Sequence, residues 1–61
     1  MKNYCVLVQA GPKEFNVLNL KGKSISSIYD QSKKYGMMVG LLIFSFDNRQ
    51  YFENLAVSYS N

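Results

Sequence analysis

Two stretches of this chain are apolar on both sides of an extended backbone, and that pattern limits what the chain can fold into. In Met38–Phe46 (MVGLLIFSF), Val39, Leu41 and Ile43 point one way, and Met38, Leu42, Phe44 and Phe46 point the other. Asn3–Gln9 (NYCVLVQ) repeats the arrangement, with Tyr4, Val6 and Val8 opposed to Cys5 and Leu7. An antiparallel sheet with one wet face alternates apolar with polar residues. These two segments do not, so both faces of the sheet centre must be covered.

The rest of the chain offers little to cover them with. Ala10-Gly11-Pro12-Lys13 reads as a turn, with Pro12 supplying a fixed φ. Glu14–Leu20 (EFNVLNL) alternates as a short second strand, ended by Lys21-Gly22-Lys23. Ser24–Tyr35 is the one expected helix: Ser24 suits the N-cap, Gly36 the position after the C-terminus, and Lys33 and Lys34 the last turn, where cations complement the helix dipole. Ser27 and Asp30 have capping-box spacing, should the helix start later. Asp47-Asn48-Arg49-Gln50 reads as a hairpin turn and Tyr51–Tyr59 as a fourth strand. The expected fold is α+β, one domain over residues 1–61. It is ββαββ, with a four-stranded antiparallel sheet of order 2-1-3-4 and one helix packed on one face. This order puts the two most apolar strands side by side and the more polar ones at the edges.

One short helix covers one face. Burying a further ~300–400 Å² of the other would contribute on the order of 8–10 kcal/mol before association costs. That rivals the whole stability of a small domain. A homodimer packed sheet on sheet is therefore expected, with Val39, Leu41, Ile43, Val6 and Val8 as the self-association face. A docking surface for a different protein is the alternative. Chain length supports the same expectation, because 61 residues bury only ~60% of their unfolded surface. Cys5 is the only cysteine and there is no histidine, so neither an intrachain disulfide nor a structural zinc site is available as a staple.

No motif points to chemistry. Gly22-Lys23-Ser24 has the ending of a phosphate-binding loop, but Val17 stands where the motif needs its first glycine. Cys5 has no histidine to serve as its base. Glu14, Asp30, Asp47 and Glu53 fall on separate elements, with no pair placed for acid–base work or magnesium. No catalytic residue, cofactor or metal is expected, and the chain reads as a binding protein and not as an enzyme. Candidate partner contacts are Asp47, Arg49, Tyr51 and Glu53 around the expected hairpin tip, with Lys33 and Lys34 at the helix end.

The formal charge is +3, from seven basic and four acidic residues. With exposed tyrosines this makes a small nucleic-acid-binding module the alternative function. No RNP-type, glycine-clamp or helix-turn-helix pattern accompanies it. The longest apolar run, Met37–Phe44, is too short to span a membrane, and no targeting segment is evident, so a cytoplasmic location is expected.

In size, in lack of catalytic residues and in strand–helix–strand make-up, the chain resembles the small proteins that bacteriophages and mobile elements use against host systems, such as anti-CRISPR proteins and phage antitoxins. The resemblance implies stoichiometric binding to a host protein, often as a dimer, in the host cytoplasm. It assigns no residues. The basic charge departs from the acidic DNA mimics among them.

Overall fold

The computed structural model describes residues 1–61 as β1 (Lys2–Gly11), β2 (Glu14–Gly22), α1 (Ile25–Ser32), β3 (Met37–Ile43) and α2 (Phe46–Ser60). The sheet has three strands in the order β2-β1-β3, with both pairs antiparallel. The apolar strands β1 and β3 lie side by side as expected, and α1 carries the chain from one edge of the sheet to the other. No helix is long and apolar enough to cross a membrane.

The expected fourth strand is a helix. Ser45 has an extended backbone and its Oγ accepts a hydrogen bond from the Asn48 N–H at 3.0 Å, an N-cap that starts α2. Asp47, expected in a hairpin turn, occupies the first helical turn, where a carboxylate complements the dipole. Phe52, Leu55, Ala56 and Tyr59 then recur at helical spacing. Phe52 is buried, Leu55 and Ala56 pack beside it, and the Tyr59 ring meets Phe15 of β2 at 5.2 Å between centroids. The fold is α+β with three strands and two helices, in place of four strands and one.

This change resolves the two-faced apolar sheet. On one face Tyr4, Val6 and Val8 of β1 pack against Ile28 of α1, flanked by Leu18, Leu20, Met38 and Leu41. On the other, Cys5 and Leu7 pack against Phe52 of α2, flanked by Phe15, Val17, Phe44, Leu55 and Ala56. Each face therefore has its own helix, and β1 is buried from Tyr4 through Val8. Overall extents of 34 × 24 × 11 Å fit a strand length, a three-layer thickness and a sheet only three strands wide.

The helix α1 is shorter than expected. Ser24 is its N-cap, accepting from the Ser27 N–H at 3.2 Å, but the helix ends at Ser32 with Lys33 as C-cap. The capping-box alternative is not used, since Asp30 pairs instead with Lys33 at 3.7 Å. One flank of α1 faces β2, where Gln31 Nε2 donates to the Lys21 carbonyl at 2.8 Å. Ile25 and Tyr29 lie on the opposite flank, toward β3, and both are exposed.

Candidate functional site

The expected sheet-on-sheet interface is not an exposed surface. Val6 and Val8 have no solvent exposure beneath α1, and Leu41 packs against the same cluster. With the second face occupied by α2, the reason for sheet-on-sheet packing is gone. Val39 and Ile43 remain open, at 44% and 59% exposure. They lie on β3, whose outer side has no neighbouring strand. Val39 is the residue skipped where the β1–β3 register slips, between the pairs Leu7–Gly40 and Val8–Met38.

The partner-contact candidates separate into two places. Asp47, Arg49, Tyr51 and Glu53 all lie on α2. Arg49 Nε donates to Glu53 Oε1 at 3.1 Å across one helical turn, an exposed pair worth a few tenths of a kcal/mol. Asp47, Tyr51, Asn54 and Ser58 recur at spacings of four, three and four, and all are exposed. They form an outward stripe with Val57 beside it. Tyr51 and Val57 are 56% and 64% exposed, so the stripe offers an aromatic and an aliphatic anchor among polar residues with one charge. Reading the segment as a strand hid this stripe, although Ser45 followed by Asp47 was a start signal present in the sequence.

Lys33 and Lys34 stand apart from that stripe, at the end of α1. Lys33 Nζ lies 4.8 Å from the centre of the Tyr29 ring, a cation–π contact on the β3-side flank of the helix. Lys34 is exposed. The other lysines gather differently. The register places Lys2 opposite Gly22 and Asn3 opposite Lys21, so Lys2, Lys21 and Lys23 share the end of the sheet where both helices begin. Gly22 is buried beneath the Ile28 and Ser27 side chains, so the Gly-Lys-Ser run is a tight strand-to-helix turn.

Cys5 is 1% exposed under α2. Burial pushes its thiol pKa up from the ordinary 9.0, the nearby Arg49 guanidinium opposes that shift, and Glu53 adds to it. The unfolded thiol therefore ionises first as pH rises. Stability should be at its full value below pH 9.0 and should fall as the pH climbs from there toward the folded-state pKa. Urea unfolding of the wild type and of Cys5→Ala across that range tests this. The wild type should lose more stability than the variant over the same alkaline interval. Equal losses would show that the thiol does not contribute.

No three Cys, Asp or Glu side chains come together as a metal-binding cluster, and the surface has no pocket. No family model, curated protein or solved structure matches the chain.

Proposed function

We propose that the protein is a non-enzymatic binding protein that acts through protein–protein contacts, of the kind mobile elements direct against a host defence or regulatory protein. The observation that carries this reading is the outward stripe of α2. A fifteen-residue helix is about 22 Å long. This one packs on the sheet through Phe52 and Tyr59 on its inner side. Its outer side presents Tyr51 and Val57 among Asp47, Asn54 and Ser58. Tyrosine is enriched at the centres of protein interfaces, and lysine and glutamate are depleted there. Tyr51 is such a residue, and none of the chain's basic residues lies on the stripe.

Tagged protein used to capture partners from host lysate tests the reading. The wild type should retain one stoichiometric protein partner. Tyr51→Lys, which changes an exposed side chain and should leave folding intact, should weaken that capture about 30-fold or more, as loss of an interface anchor does. Equal capture by both proteins would remove the stripe from the interface.

A nucleic-acid-binding module is the second reading, favoured by the grouping of Lys2, Lys21 and Lys23 at the end where both helices start. It calls for affinity falling with salt at a log–log slope of about −3 for three neutralised phosphates. Capture of nucleic acid with that slope, unaffected by Tyr51→Lys, would favour it over the first reading.

A further inference from the structure

We propose that β3 pairs antiparallel with the β3 of a second copy, about a two-fold axis at Leu41, joining two three-stranded sheets into one of six strands. The inference does not depend on the target-binding reading, because it uses the opposite edge of the architecture and none of the α2 stripe.

Hydrogen-bond geometry on β3 identifies the groups that are available. The Phe44 N–H donates to the Asn3 carbonyl at 3.0 Å. In an antiparallel ladder this makes Asn3/Phe44, Cys5/Leu42 and Leu7/Gly40 the hydrogen-bonded pairs. Leu41 and Ile43 therefore turn their N–H and C=O groups away from β1, toward the open edge. Asn48 Nδ2 already donates to the Ile43 carbonyl at 2.7 Å, and that oxygen can accept a second bond. Leu41 has both of its backbone groups free for a partner strand.

Side chains match the same register. With the two-fold at Leu41, Leu41 faces its own copy, and Val39 faces Ile43 of the other copy twice. These are apolar cross-strand pairs of the kind that stabilise sheets. Met37–Ile43 contains no charged residue and no proline, two of the devices that block edge pairing. Its one irregularity, the register slip at Val39, lies to one side of Leu41 and Ile43, whose pairing with β1 is regular. Within the paired strands no like charges are brought together, although each copy carries +3. The β2 edge differs: it has Glu14 and Lys21 near its ends, and the C-terminal part of α2 packs on it through the Phe15–Tyr59 contact.

The available area is sufficient for a small interface. Ile25 and Tyr29, 57% and 45% exposed on the β3-side flank of α1, extend the apolar surface beyond Val39 and Ile43. Four large residues near half exposure, with Leu41 and the strand backbone, supply on the order of 500 Å² per copy. Two such surfaces bury ~1,000 Å², the lower limit for a specific interface. Association should accordingly be of micromolar strength and reversible. The two-fold lies perpendicular to the sheet, so the two α2 helices emerge on one face and the two α1 helices on the other.

Sedimentation equilibrium over a micromolar to millimolar concentration series, with amide hydrogen exchange at both ends of the series, tests the proposal. The mass should rise from 7.0 kDa toward twice that value with concentration. The Leu41 and Ile43 amides should become at least tenfold slower to exchange in the dimer. Ile43→Lys, on an exposed side chain, should weaken association at least tenfold. Asn16→Lys, which adds the same charge to the β2 edge, should not. A monomer throughout the series overturns the proposal. So does a dimer in which Leu41 and Ile43 exchange at the monomer rate, or in which Ile43→Lys associates as well as the wild type.

Discussion

Replacing Gly36 with alanine should remove a third or more of the stability of this protein. Gly36 has φ +142°, a backbone conformation that L side chains rarely adopt. It also lies where the chain leaves α1 and passes beneath the end of β1. A Cβ there would sit 2.4 Å from the Gln9 carbonyl oxygen and 2.8 Å from its carbon. Both are backbone atoms of the central strand, so no side chain can rotate away to make room. Strain of this kind costs ~1–3 kcal/mol, and displacing the strand adds to it, for a total on the order of 3 kcal/mol or more. A domain of this length has ~3–9 kcal/mol in all. Urea denaturation followed by circular dichroism is the measurement. Gly11→Ala is the control, because its Cβ would meet only Glu14 side-chain atoms at 3.6–3.7 Å, an ordinary contact. That variant should stay within ~1 kcal/mol of the wild type. Comparable midpoints for the two variants would mean that the approach of Gly36 to β1 is not tight.

Phe52→Ala should have an effect of comparable size, with a loss of ~3–5 kcal/mol. Phe52 is the one buried residue of α2, 4% exposed. It packs on Cys5 and Leu7, and its ring edge lies 3.0 Å from where a Cβ on Gly40 would be. Glycine at position 40 thus lets the ring lie against the backbone of β3. Truncation leaves a cavity between helix and sheet and loosens the helix that covers that face. A second readout follows from the position of Cys5. Its thiol, shielded in the wild type, should react with a maleimide in native Phe52→Ala much faster than in the native wild type. A variant that loses stability while Cys5 stays shielded would show that α2 is held mainly by Leu55, Ala56 and Tyr59. A smaller loss is expected for Phe52→Leu, which keeps most of the buried volume.

These two residues also mark where the sequence could be read and where it could not. Gly36 is legible in the sequence as the left-handed glycine that ends the helix, but the helix ends at Ser32 with Lys33 as its C-cap, and Gly36 is needed instead for its φ of +142° where the chain passes Gln9. Phe52 was misplaced. Tyr51, Glu53, Leu55, Val57 and Tyr59 alternate as a strand would, while Phe52, Leu55, Ala56 and Tyr59 recur as a helix would. Both periods are present in the same nine residues. The Ser45 cap and the helix-favouring Arg49, Gln50, Glu53, Leu55 and Ala56 supported the second reading. The candidate contacts followed the same division. Asp47, Arg49, Tyr51 and Glu53 are exposed or partly exposed, but they sit on α2 and not around a turn, with Asp47 and Tyr51 on the outward stripe and the Arg49–Glu53 pair on a different face. Val39 and Ile43 are open, whereas Val6 and Val8 are sealed beneath α1.

Local pattern alone determined β1, β2, β3 and the cap of α1, because strand alternation and turn residues are properties of neighbours in the chain. The relative order 2-1-3 followed from placing the two most apolar strands side by side. Local pattern also determined that both faces of the sheet needed cover. Only the tertiary structure decided what supplies that cover. A second helix from the same chain closes over Cys5, Leu7 and Val17, so the apolar residues of the sheet that stay open, Val39 and Ile43, lie on the edge strand β3. That outcome depends on contacts between segments some forty residues apart, which no local periodicity encodes.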